Sequence, residues 1–205
     1  MFSMDVVVAR YDECLEWLWP IEGRCTVYNK GESQVHGAFK AVRALPNVGR
    51  EAHTYANHII DNYDDLPDVT VFVQGCITDH VTGDPVEFVW RAAYEAMMSG
   101  LSLNTIRCAT SGREYRMKVW AGVPLQQHRG MCLGEWYEDC TGEPYPTAPP
   151  PWYCGACFAA TRDAIRSVPR ETWMHLRASV GTHNSPVASH YLERTWYHLM
   201  SPKDA

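Results

Sequence analysis

The chain has 205 residues, enough for one full hydrophobic core and short for two independent ones, so a single domain with an elaborated C-terminal part is expected. Eighteen basic against twenty-four acidic residues give a net charge of −6, and no Lys/Arg run concentrates positive charge. That argues against a nucleic-acid partner or a polybasic membrane patch. No segment approaches the roughly eighteen apolar residues of a membrane span, and Met1 to Arg10 lacks a signal-peptide pattern, so a cytoplasmic setting is the natural expectation.

In chain order, Asp5-Val-Val-Val-Ala9 suits a buried parallel strand, followed by polar Arg10-Tyr-Asp-Glu13 and a helix over 12–18. Cys25-Thr-Val-Tyr28 reads as a second strand closed by the turn residues Asn29-Lys-Gly31. Residues 31–46 carry no strong period and suggest a variable connection. The clearest element follows, because Ala52, Tyr55, Ala56, Ile59, Ile60 and Tyr63 form the stripe of a core-facing helix, with His53, Asn57 and Asp61 away from it and Asn47 as its cap. Leu66-Pro-Asp68 leads into Val69-Thr-Val-Phe-Val73, a central strand ended by Gly75.

Asp84-Pro85 predicts an N-cap with Pro at the first helical position, and a helix through about Met98. Arg116 to Trp120 predicts a strand. Composition then shifts to Gly, Pro, acids and aromatics from Gly130 to Pro151, which reads as a long loop and candidate lid with a Pro-rich part at 141–151. Cys154 to Ala160 returns to strand character, helices follow over 161–166 and 169–180, and a last helix from about Val187 to Met200 buries Tyr191, Leu192, Thr195, Trp196 and Leu199.

Ligands of open α/β sheets sit beyond the carboxyl ends of the strands, which makes Arg10, Asp12, Gln74 and Gly75 candidates by position. Pro46-Asn-Val-Gly-Arg-Glu51 sets a glycine and a guanidinium at a helix start, a combination that suits a phosphate. The plainer alternative is a tight turn at Gly49 with Arg50 paired to a surface carboxylate. Asp79-His80 offers two ligands for a Mn²⁺- or Mg²⁺-type cation. On the last helix His190, Glu193 and Tyr197 share a face and offer a base with polar neighbours. Eight Cys in a chain that needs no staples are read as mostly reduced, and only Cys154-Gly-Ala-Cys157 has zinc-ligand spacing. Neither a Gly-x-Ser-x-Gly elbow nor a dinucleotide fingerprint occurs.

Several segments together resemble the domain of unknown function 3431 family: Gly49-Arg-Glu51, Tyr55, Ile59-Ile60, Tyr63-Asp64, Leu66-Pro-Asp68, Val71-Phe72 with Gly75, Cys157-Phe-Ala159 with Arg162 and Ile165, Pro169-Arg170, and Glu193 with Trp196 and His198. The order of elements also resembles GT-A type glycosyltransferases, which implies a single α/β domain with a mostly parallel central sheet flanked by helices. That likeness implies a nucleotide-binding half over 1–100 and an acceptor half over 101–205. It assigns Arg10, Asp12, Asn47, Gly49, Arg50, Gln74 and Gly75 to a nucleotide-diphosphate sugar, Asp79 and His80 to Mn²⁺ or Mg²⁺, and Glu193 to the role of base. Trp152, His190, Trp196 and Tyr197 would meet a glycan acceptor. Such enzymes carry an Asp-x-Asp metal motif, where this chain has Thr78-Asp-His80 with one carboxylate. A carbohydrate-binding protein without transfer activity, or a zinc hydrolase built on Cys154 and Cys157, are the alternative readings.

Overall fold

Strand β1, Met4–Arg10, is buried along its whole length inside a six-stranded sheet. A computed structural model describes residues 2–103, 107–149 and 151–201. The other strands of this sheet are β2 (Cys25–Asn29), β3 (Ala41–Ala44), β4 (Val69–Gln74), β5 (Leu101–Leu103) and β10 (Phe158–Thr161), in the order β3-β2-β1-β4-β10-β5. Strands β1 to β4 pair in parallel, and β10 runs antiparallel to both β4 and β5. The sheet is therefore mostly parallel with one reversed strand.

Helices cover both faces. Helix α1 (Arg50–Asp61), α3 (Leu133–Thr141), α5 (Arg170–Val180) and α6 (Val187–Met200) pack with Val7, Ala9, Phe72 and Phe158 in one cluster. Helix α2 (Pro85–Ser99) and the 3-10 helix Glu16–Arg24 pack with Val6, Val8, Val71 and Val73 in the other. Alternation along β1 and β4 divides the side chains between the two clusters, as a period of two dictates. The remaining elements are two short ribbons, β6 (Arg107–Cys108) with β9 (Trp152–Tyr153) and β7 (Val119–Trp120) with β8 (Val123–Pro124), and helix α4 (Arg162–Arg166).

The structure corrects several expectations. The helix expected over 12–18 is a 3-10 helix starting at Glu16, with Pro20 inside it, where an α-helix would lose a hydrogen bond. The connection 31–46 contains an edge strand, β3, whose exposed side chains leave no hydrophobic alternation to read. The strand expected over 116–120 shortens to Val119–Trp120. Asn47 does not cap α1, because Gly49 is the N-cap, in the left-handed region at φ 62°. His53, expected away from the buried stripe, is itself buried because α5 packs on that side of α1.

The largest correction concerns the expected lid. Residues 133–141 form α3, whose Trp136 is 0% exposed and donates its indole N–H to Ser179 Oγ at 3.1 Å. The helix starts where Glu135 Oε2 accepts the Cys132 N–H at 2.7 Å, and it belongs to the core rather than to a cover. Of the run Pro149-Pro-Pro151, residue 150 lies outside the described residues.

Truncating Trp136 tests this placement. Trp136→Ala is expected to cost about 3–5 kcal/mol in urea denaturation, the range for a fully buried aromatic, whereas a mobile lid would tolerate it with under about 0.5 kcal/mol.

Candidate functional site

In the order β3-β2-β1-β4 the chain lays β2 and β3 on one side of β1 and then crosses to place β4 on the other. The carboxyl ends of β1 and β4 flank that reversal, the place where open α/β sheets bind ligands. A cleft of about 200 Å³ lies there. Arg10, Glu13 and Gln74 line it from the strand ends, Lys30 from the turn after β2, and Asn47, Arg50 and Glu51 from the start of α1.

Part of this lining is scaffold. The Arg10 guanidinium donates to Glu13 O at 2.9 Å, Asn29 Oδ1 at 2.6 Å, Ser33 O at 3.0 Å and Ser33 Oγ at 2.7 Å, so it clamps the ends of β1 and β2 to the following loop. Asp12 Oδ1 accepts from Ser33 N–H at 2.9 Å and Ser33 Oγ–H at 2.6 Å, bonds that hold its carboxyl below the usual range. Both were expected to meet a nucleotide; in the structure their side chains are hydrogen-bonded to the loops after β1 and β2. Gly75 is likewise structural, donating to Ala9 O at 2.8 Å and accepting the Trp17 indole N–H at 2.8 Å.

The charged part of the cleft is the loop into α1. Gly49 and Arg50 both have left-handed backbone, at φ 62° and φ 51°, and a Cβ on Gly49 would lie 2.5 Å from Val180 O. A side chain at position 49 is thus excluded by both conformation and space. This bend sets Arg50 in the cleft lining with its Nε 3.6 Å from Glu51 Oε2, at a helix start whose first N–H groups have no intrahelical acceptor. Lys30 Nζ donates to Val48 O at 2.6 Å and to Arg50 O, and burial pushes its ammonium down to about 8. Two cations and a helix N-terminus therefore meet at one point.

Glu193 joins the site from α6. Its Oε1 accepts the Gly155 N–H at 2.9 Å, while Gln74 Nε2 donates to Gly155 O at 2.9 Å, so the turn before β10 links the end of β4 to α6. Burial first and the Glu51 charge second raise the Glu193 carboxyl above its usual range, and its side chain keeps 17% exposure. Arg194 beside it is sandwiched, 4.2 Å from the Trp152 ring centre and 4.7 Å from that of Tyr115, and donates to His190 O at 2.7 Å.

The family model described as "Protein of unknown function (DUF3431)" matches residues 6–205. The chain belongs to this family. No curated protein matches it. The residues that carried the DUF3431 resemblance fall into two places. Arg50 and Glu51 line the cleft, Gly49 makes the turn that precedes them, and Glu193 feels the charges of both. Tyr63, Asp68, Arg162 and Arg170 form a staple at the opposite end of the sheet, where Arg162 donates to Leu66 O at 2.7 Å and to Asp68 Oδ1 at 3.0 Å, and Arg170 to Ile60 O at 3.0 Å. Tyr63 O–H donates there to Val168 O at 2.9 Å.

The residues expected to meet a glycan in this DUF3431 chain are placed less favourably. Trp196 is 2% exposed and stacks with Trp173 and Phe158 in the core, so no face remains for a sugar. Trp152 has one face under Arg194 and donates its indole N–H to Ala109 O at 2.5 Å. With Tyr197 and Glu193 these rings line a space of about 10 Å³, on the order of a single water. His190 is 4% exposed, and burial together with the positive charges of Arg50 and Arg194 pushes it down to about 4, so it is neutral at neutral pH.

Asp79 and His80 lie beyond β4, with Asp79 Oδ1 3.6 Å from His80 Nε2 and the Asp79 side chain 71% exposed. Among the described residues no three His, Cys, Asp or Glu side chains converge on a possible metal position. One carboxylate and one imidazole would leave most of a Mn²⁺ or Mg²⁺ shell to water and substrate oxygens. The Cys154/Cys157 pair is divided, because Cys154 is bonded to Cys108 and Cys157 is buried with its thiol pushed up to about 12. Six cysteines remain free, as a mostly reduced chain requires.

Sequence reasoning missed Lys30, Glu51, Arg194 and Gly155 as functional residues. Glu51 and Lys30 carried a signal, since each adjoins a glycine turn at a strand or helix end. Arg194 and Gly155 carried none, because the contacts that place them, Tyr115 for Arg194 and Glu193 for Gly155, lie 79 and 38 positions away.

A carboxyl raised by burial binds its proton more tightly in the folded state, so it lowers stability as pH rises through its titration. Glu193→Gln keeps the oxygen that accepts from Gly155 and removes the charge. The variant is expected to melt above the parent at about pH 7, with the gain closing toward about pH 4, where the parent carboxyl is protonated in both states. A variant that melts below the parent at about pH 7 contradicts the assignment.

Proposed function

We propose that this protein is a GT-A-like glycosyltransferase that moves a sugar from a nucleotide-diphosphate sugar to a hydroxyl acceptor. The observation that carries the reading is a buried carboxylate of raised proton affinity, Glu193, electrostatically coupled to a cationic cleft at the β1/β4 reversal. The mostly parallel sheet, with its reversed strand beside β4, supports the nucleotide-sugar assignment of the first half and the acceptor assignment of the second.

In this reading the diphosphate lies against the N-terminus of α1, where Arg50 and Lys30 offset its charge. Glu193 takes the proton of the acceptor hydroxyl. The acceptor oxygen then bonds to the anomeric carbon, whose bond to the diphosphate oxygen breaks, and the nucleoside diphosphate leaves with that electron pair. Arg50 and Lys30 stabilise the departing charge. Asp12, Asn47 and Gly49 shape the donor side as loop and turn residues.

A panel of nucleotide sugars and simple saccharide acceptors, with and without Mn²⁺, tests the reading through release of nucleoside diphosphate. Glu193→Gln is expected to lower turnover by about 10²–10⁴-fold while nucleoside diphosphate still binds, because it removes only the base. Arg50→Gln is expected to weaken nucleoside diphosphate binding by about tenfold, as loss of one charge-assisted contact does. The reading fails if no nucleoside diphosphate shifts the melting temperature and no donor is consumed.

A further inference from the structure

Trp120 sits at the turn of the β7–β8 hairpin and is 47% exposed, with Val119 and Val123 exposed beside it. Ala121 and Gly122 both have left-handed backbone, at φ 48° and φ 80°, which makes the tight two-residue connection of this ribbon. The hairpin is anchored to α6, because Val187 N–H donates to Gln126 O at 2.9 Å and Gln126 bridges to Pro186. That anchor brings the Trp120 ring to 5.1 Å from the His190 ring at 44°. His190 lies one helical turn ahead of Glu193 and Arg194 and feels the charges of Arg50 and Arg194. The indole is therefore one ring contact away from the helical turn that precedes Glu193 and Arg194. It presents an open face there, whereas Trp196 is sealed in the core and Trp152 is covered by Arg194.

We propose that Trp120 is the acceptor platform, stacking its open face on the C–H face of a neutral pyranose ring so that a hydroxyl of that glycan is directed toward Glu193. The assignment rests on the transferase reading above for the role of the sugar, and on the hairpin geometry for its place. An indole offers a large apolar face at little conformational cost, which a sugar ring matches on its apolar side. The net charge of −6, with no basic run, disfavours an anionic lipid surface as the occupant.

Cello-, malto-, manno- and chito-tetraose titrated into the intact protein test this by indole fluorescence and calorimetry. At least one tetraose is expected to bind, Trp120→Ala to weaken it by about tenfold, and Trp120→Phe to keep most of the affinity. Uridine and guanosine diphosphate should shift the melting temperature of both variants as they shift the parent's. The platform is overturned if no tetraose binds, or if Trp120→Ala binds as tightly as the parent. It is equally overturned if Trp120 instead governs binding to anionic vesicles or self-association. Tetraose binding that depends on Trp120, with no nucleoside diphosphate binding, would sink the transferase reading and leave the carbohydrate site standing. The reverse pattern would keep the transferase reading and remove the platform.

Discussion

The site depends on one turn. Gly155 has to bring a reversed strand alongside β4 while leaving its peptide groups paired, and it does so by donating to Glu193 and accepting from Gln74. Its φ of 94° and the φ of 47° at Ala156 bend the chain in a way that side chains resist, so the two hydrogen bonds hold a conformation that local sequence would not choose. The Cys108–Cys154 disulfide fastens the neighbouring β6–β9 ribbon at the adjacent residue. Through this joint the end of a parallel strand and a helix from the far end of the chain share one hydrogen-bonded unit.

Burial and charge are balanced around that unit. Burial first and repulsion from Glu51 second keep a proton on Glu193 longer than an exposed carboxylate would hold one. Arg50 and Arg194 lower the proton affinity of both Glu193 and His190, while burial raises the carboxyl and lowers the imidazole, so burial biases each side chain toward its neutral form. Buried groups shifted by desolvation and by specific charged neighbours are candidates for acid–base roles. Lys30, bonded to the carbonyls that precede and open α1, stabilises the strained bend that aims Arg50.

The opposite end of the sheet is held by a mechanical tie. Arg162, Arg166 and Arg170 reach back to backbone carbonyls between Ile60 and Leu66, tying the α1–β4 connection to α4 and α5. Family-level likeness at these positions therefore reports on the architecture, and likeness at Gly49, Arg50, Glu51 and Glu193 on the site. Sheet ends of this kind separate stability from function, because only the carboxyl end opens at the reversal of strand order.

Local pattern in the sequence is enough for the parallel strands β1, β2 and β4, the helices α1, α2, α5 and α6, and the turn at Gly49-Arg50, because each rests on a local period or a local turn. Val69–Val73 and the Ala52-to-Ile60 stripe needed nothing beyond their neighbours. Helix α3 was hidden by the glycines and acids around Trp136, although its buried residues keep helical spacing. Only the tertiary structure decided that Arg10 and Asp12 are scaffold and that Trp196 is core while Trp120 is open. It alone divided Cys154 from Cys157 and placed Gly155 between Gln74 and Glu193. Those outcomes turn on contacts between distant segments, and a hydrogen bond or a covered ring face is fixed by where the chain returns, which no local pattern records.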